Sequence, residues 1–176
     1  MSKKHYIITS LTLGAIAACS AALIGVTNLV TKDRIIKNEL AKIQTGIVSI
    51  YGEGATIKEE HEVEDYKYTN YVYEIESPVS APKFVFRTTG SNMYGKISML
   101  VGLNQDVSNN EFTLVDVYLI TNEQTYASTL EDNYINPLND GTRDLEDVTC
   151  GATYGAKLVR DMVNEAKEAA FSLYVR

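Results

Sequence analysis

The chain is poor in the residues that build metal and thiol chemistry. It holds two cysteines, Cys19 and Cys150, and two histidines, His5 and His61, with no C-x-x-C and no paired ligand spacing. A structural metal and a Cys–His nucleophilic dyad are therefore not expected. Cys19 sits in a hydrophobic segment and Cys150 in a small-residue run, so a disulfide between them would require these two distant segments to meet. A basic stripe is also missing. All 23 acidic residues follow Val30, whereas only Lys3 and Lys4 of the 16 Lys and Arg residues precede it, so the remainder has about 14 basic against 23 acidic residues, near −9. Such a surface repels phosphate backbones, and no nucleic-acid partner is expected.

The first long stretch lacks charge altogether. Residues 6–31 carry no Asp, Glu, Lys or Arg, and at 1.5 Å per residue they are long enough to cross a hydrocarbon core of roughly 30 Å. Gly14, Ala15, Ala17, Ala18, Ala21, Ala22 and Gly25 suit packing against a neighbouring membrane helix. A cleaved signal peptide has the same opening. Ile16-Ala17-Ala18-Cys19 also has the form of a bacterial lipobox, which would leave Cys19 lipidated. The apolar run continues through Leu23, Ile24, Val26, Leu29 and Val30, past either cleavage point, and favours an uncleaved anchor. Lysines and arginine flank both ends, so charge bias gives no orientation.

Beyond the anchor, the spacing of Ile35, Ile36, Leu40, Ile43 and Ile47 predicts a continuing helix, broken at Tyr51-Gly52-Glu53-Gly54. The acidic run 59–65 reads as a solvated loop without a ligand. Strands are expected over 67–75, ended by Ser77-Pro78, and over 83–88 after Ala81-Pro82. Residues 94–125 read as a β-hairpin reversing over 104–110. Residues 131–146 are acidic and polar, with Pro137 and Gly141 as breakers, and are expected to form a surface loop.

That loop leads into Asp147-Val148-Thr149-Cys150-Gly151-Ala152-Thr153, followed by Tyr154 and Gly155. A helical stripe of Leu158, Val159, Met162, Val163, Ala166, Ala169, Ala170 and Leu173 begins directly after it. Unpaired N–H groups and the dipole at such a helix start suit a phosphate, with Gly151 and Ala152 admitting close approach and Thr153 offering a hydroxyl. Asp147, Thr149 and Thr153 suit ordinary helix capping equally well, with Gly151 supplying the turn.

Asp147–Thr153 resembles the D-x-x-(S/T)-G-A-T motif of the FMN-binding domain in RnfG and NqrC, subunits of ion-translocating electron-transport complexes. In that family the last threonine carries FMN through a phosphoester bond made by a flavin transferase, with FAD as donor and AMP released. The resemblance implies Thr153 as acceptor, with Asp147, Gly151 and Ala152 in the recognition motif and Cys150 at the Ser/Thr position. Gly155 stands where many members have a hydroxyl residue. The hairpin from Tyr94 is similar to the family's Tyr-x-Gly-x-Ile strand and Val-rich return. Gln124-Thr125 takes the place of the Glu-Thr that opens a Pro-Gly-Leu-Gly loop near the flavin; the Pro and both Gly are absent here. The exit over 28–37 is similar to that of the family's membrane helix.

The resemblance implies an α+β fold, a twisted antiparallel sheet with helices, behind one N-terminal transmembrane helix. It divides the chain into a short cytoplasmic end (1–5), the membrane helix (6–31) and an extracytoplasmic FMN-binding domain (32–176) at the plasma membrane. It implies an electron-transfer subunit with covalent FMN, partnered by other membrane subunits and by the transferase. It would be a redox subunit and not an independent catalyst. The altered 122–128 loop motivates an alternative, a tethered binding or structural module of the same fold without flavin. A hydrolase is disfavoured because Thr153 has no evident His base nearby in sequence.

Overall fold

A computed structural model describes residues 3–76, 82–106 and 108–175. The expected break at Ser77-Pro78, together with Ala81, lies outside the described residues, as do the side chains of Ile35 and Ile36. The chain divides into two compact units, Met1–Ala41 and Lys42–Arg176.

The first unit is helix throughout its described residues, within α1 (Lys3–Tyr51). Its segment Ile8–Asn28 has a mean hydropathy of 1.8 and is long and apolar enough to cross a membrane. Tyr6, Ile8, Leu11, Leu13, Ile16, Leu23, Ile24 and Val26 all point outward. Three threonine hydroxyls in and just after this stretch are satisfied locally. The hydroxyls of Thr12 and Thr27 each donate to the carbonyl four residues back, at 2.8 Å, and that of Thr31 does so at 2.6 Å. In hydrocarbon an unbonded hydroxyl is costly, and this back-bonding removes the cost without a partner helix. Cys19 is exposed on the same segment.

The second unit is α+β. Five antiparallel strands run in simple sequence order: β1 (Thr56–Glu62), β2 (Thr69–Glu76), β3 (Lys83–Asn92), β4 (Gly95–Asp106) and β5 (Glu111–Asn122). Alternation along β2 to β5 feeds two cores, as expected of a sheet covered on both faces. Val72, Phe84, Phe86, Ile97, Met99, Val101 and Leu103 point to one face, where α4 (Thr153–Tyr174) lays down Leu158, Val159, Met162, Val163, Ala166, Ala169 and Ala170. Tyr73, Ile75, Val85 and Leu100 point to the other, where the end of α1 supplies Ile43, Ile47 and Ile50. The Tyr51 hydroxyl lies 3.0 Å from the carbonyl of Phe84 and 2.8 Å from that of Leu103, tying the end of α1 to β3 and β4. On the other side the Glu165 carboxylate of α4 accepts the backbone N–H groups of Lys67, Tyr68 and Thr69 at 3.1, 2.6 and 2.8 Å.

Three expectations are corrected. Residues 59–62 belong to β1 and not to a loop. As an edge strand bearing Lys58, Glu59, Glu60, His61 and Glu62 it is almost wholly exposed, so its sequence shows no alternation. Residues 131–139 are helical and not part of a surface loop, whereas 140–146 is the expected loop, exposed except at buried Leu145 and half-buried Arg143. The chain from 127 winds through α2 (Ala127–Leu130), a π-turn (Glu131–Ile135) and α3 (Asn136–Asn139), burying Leu130, Tyr134, Ile135, Leu138 and Leu145 against the α4 core. Asn139 closes this layer against the sheet, its amide accepting from the Val117 N–H (3.0 Å) and donating to the Val117 carbonyl (2.9 Å). Finally Leu173 is 44% exposed and leaves the α4 stripe, while Tyr174 packs on Phe84 at 4.1 Å between ring centroids.

The expected 94–125 hairpin is present, but its strands run further than the turn residues suggest. β4 continues to Asp106 and β5 starts at Glu111.

Candidate functional site

The small-residue motif divides into a braced half and an open half. Arg143 braces the first. Its guanidinium donates to the Asp147 carbonyl (2.8 Å), the Asp147 carboxylate (2.9 Å) and the Thr149 carbonyl (3.4 Å). Asp147 in turn accepts the Thr149 N–H at 3.2 Å, a local turn within the run. Cys150 is buried at 8% exposure, and its carbonyl accepts from the Asn133 amide at 3.3 Å. These contacts hold Asp147 and Cys150 outside the cleft described below.

At Gly151 the chain turns through a left-handed conformation (φ 84°) that only glycine adopts without strain. Ala152 follows as the N-cap of α4, with no side-chain capping bond. The capping role open to Asp147, Thr149 and Thr153 is therefore not taken up. The first N–H groups of α4 have no intrahelical acceptor and no side-chain capping bond, which leaves the positive end of the helix dipole open. The Thr153 hydroxyl makes no hydrogen bond among the described residues. One turn on, at the i+4 position that shares its helix face, stands Lys157, whose ammonium lies 5.9 Å from the Tyr154 ring centre.

This open half forms one wall of a cleft of about 260 Å³ lined by Tyr94, Gln124, Tyr126, Leu130, Gly151, Ala152, Thr153, Tyr154 and Gly155. Four of the expected site residues thus meet: Gln124, Gly151, Ala152 and Thr153. Thr125 does not line the cleft; it is exposed, and its N–H and hydroxyl both donate to the Tyr94 carbonyl (2.9 and 3.2 Å).

The 122–128 loop holds its shape without Pro or Gly, through side-chain bonds. Asn122 accepts the Gln124 N–H (3.2 Å) and donates to the Ala127 carbonyl (3.4 Å) and the Glu131 carboxylate (2.8 Å). Gln124, only 7% exposed, donates to the Gly95 carbonyl at 2.5 Å. Amide side chains here do the turn-fixing work that backbone-restricted residues do elsewhere.

Sequence reasoning missed Tyr94, Tyr126, Leu130 and Tyr154 as cleft residues, and Arg143 as the brace. The tyrosines come from three distant segments, so no local pattern marks them. Arg143 did carry a signal: it stands four residues before Asp147, the spacing of an ion pair on a helical turn.

A second cluster appears on β1. A bulge between Ile57 and Glu59 sets Glu59 opposite Glu74, and the ligand atoms of Glu59, His61 and Glu74 lie within 4.8 Å of one another. Lys58 is 3.8 Å from Glu74, and His61 is 3.3 Å from Glu59. Glu59 and His61 are exposed and Glu74 is half-buried, and we assign the group no role.

Residues 1–48 match a family model described as the RnfG N-terminal region. This supports an RnfG-type family for the chain. No curated protein matches it. The matched residues hold the apolar segment Ile8–Asn28 and end before β1. The match and the Thr153 cleft are therefore separate observations on separate parts of the sequence.

Proposed function

We propose that the chain is an electron-transfer subunit of a membrane-bound, ion-translocating complex of the Rnf type, carrying FMN in phosphoester linkage on Thr153. The observation that carries this reading is the Thr153 hydroxyl itself. It stands unbonded at an uncapped helix start, on the rim of a cleft with aromatic walls.

The residues present fit the group. A phosphoester at Thr153 would meet the free N–H groups of the first α4 turn and the dipole behind them. The absence of a side chain at Gly151 lets a phosphate approach the backbone, and Lys157 supplies a cation on the same helix face. Gln124 offers its remaining amide capacity inside the cleft, and Leu130 gives the cleft an apolar floor. When bound, the flavin would supply the redox chemistry, and the protein would supply position and electrostatics. Thr153 is then a modified residue and not a catalyst in turnover, so the chain is a redox subunit and not an independent enzyme.

The match over residues 1–48 supports membership of an Rnf-type complex. In this reading the partners are the other membrane subunits and a flavin transferase that recognises Asp147 through Thr153. The segment 6–31 is a single-pass plasma-membrane anchor, residues 1–5 are cytoplasmic, and residues 32–176 form the extracytoplasmic flavin domain.

The test is a pair of substitutions at the acceptor in the full-length chain, co-expressed with a flavin transferase. Thr153→Ser keeps a hydroxyl and should retain covalent flavin fluorescence on a denaturing gel. Thr153→Val keeps the shape without the hydroxyl and should lose it. Covalent flavin on the valine variant would contradict the assignment of Thr153. A wild-type chain that stays unlabelled would favour a tethered module of the same fold without flavin.

A further inference from the structure

We propose that Tyr94, Tyr126 and Tyr154 form a stacking wall for the flavin ring system, replacing the Pro-Gly loop this chain lacks. The assignment rests on the carrier reading above. It adds which residues hold the planar part of the cofactor.

Three observations converge on it. The rings are neighbours although their segments are far apart in sequence: Tyr94 lies 6.1 Å from Tyr126 and 5.4 Å from Tyr154 between centroids. The planes are inclined at 57° and 40°, so neither pair is stacked face to face and ring faces remain for a ligand. Tyr126 and Tyr154 are 55% and 58% exposed, an apolar aromatic surface left in water beside a cleft.

The backbones beneath these rings are fixed, while their hydroxyls make no hydrogen bond among the described residues. Asn92 ties two of them together, accepting from the Tyr94 N–H (2.8 Å) and donating to the Tyr154 carbonyl (3.1 Å). Thr125 holds the Tyr94 carbonyl from the other side. The wall is thus positioned before any ligand arrives, which is the arrangement that lowers the cost of ordering on binding. Tyr154 directly follows Thr153, so a group anchored on that hydroxyl is beside the wall from the outset.

The experiment uses the full-length chain in detergent, co-expressed with a flavin transferase and confirmed by intact mass to carry the adduct. A tyrosine ring in contact with a flavin gives an electron to its excited state and takes it back, so emission is lost with no net chemistry. The wild-type adduct should emit well below free FMN. Tyr126→Leu and Tyr154→Leu should each raise the emission at least about twofold by removing a stacked ring. Tyr126→Trp and Tyr154→Trp, which restore an aromatic face, should quench it again, a rescue that a folding defect would not give. Equal emission from the wild type and both leucine variants, with the adduct present in all three, would overturn the stacking wall and leave the carrier reading intact. A wild type without adduct would overturn both.

Discussion

Gly141 and Gly151 both stand in left-handed backbone, at φ 69° and 84°, yet their surroundings differ. A Cβ on Gly141 would meet nothing within 4 Å, whereas one on Gly151 would come to 3.3 Å from Thr129 Cγ2. Alanine at Gly141 therefore isolates the conformational cost, about 1 kcal/mol for a left-handed L-residue. Alanine at Gly151 adds a tight contact with α2 and should reach about 2–3 kcal/mol. For a chain of this size 1 kcal/mol shifts the melting temperature by about 2–4 °C, so the expected losses are about 2–4 °C and about 4–12 °C. Thermal unfolding of the flavin-free full-length chain, followed by circular dichroism in detergent, reads both. The functional consequence separates them further. Only Gly151→Ala moves the peptide that presents Ala152 and Thr153 to the cleft, so only it should impair flavin attachment. Equal destabilisation by the two would refute the role given to the Thr129 contact, and an unperturbed Gly151→Ala would refute the left-handed turn.

Two further outcomes follow from the packing. Glu165→Gln should cost about 1.5–3 kcal/mol, because three backbone N–H groups lose a charged acceptor, and a chemical-denaturation midpoint unchanged from wild type would contradict that. Burial, only partly offset by the Val117 N–H, holds the Asp116 carboxyl above the usual carboxylate range. A raised folded-state pKa means the folded protein binds the proton more tightly than the unfolded chain, so this contribution is present at low pH and is lost as pH rises through the folded value. Asp116→Asn should therefore raise the melting temperature at neutral pH, with a gain that shrinks on acidification through that range; a gain independent of pH would contradict the assignment.

The parts of the fold legible in the sequence are those where one period or one residue class dominates. The stripe on α4 stands out because that helix buries one face and wets the other. β4 stands out through its apolar run, being buried on both faces, and β5 through its β-branched and aromatic residues. Residues 131–139 were misread for a physical reason. Their buried positions, Leu130, Tyr134, Ile135 and Leu138, follow a helical spacing widened by the π-turn and diluted by Asn, Asp and Pro. β1 was hidden because an exposed edge strand has no buried face to write into its sequence.

At the site, the run from Gly151 to Thr153 was legible because a loop-to-helix junction demands small and hydroxyl residues in order. Its fate was not. Whether those residues cap the helix depends on where their side chains turn, and Arg143, far from any helix start, settles that for Asp147. The tyrosine wall was invisible for a different reason: it exists only once the Asn92 end of β3, the loop after β5 and the first turn of α4 are brought together.

The most direct measurement is the intact mass of the full-length chain purified after co-expression with a flavin transferase, followed by peptide fragmentation. The account predicts an added mass of one FMN less water, located on Thr153. An unmodified chain, under conditions that label an established acceptor, would contradict it.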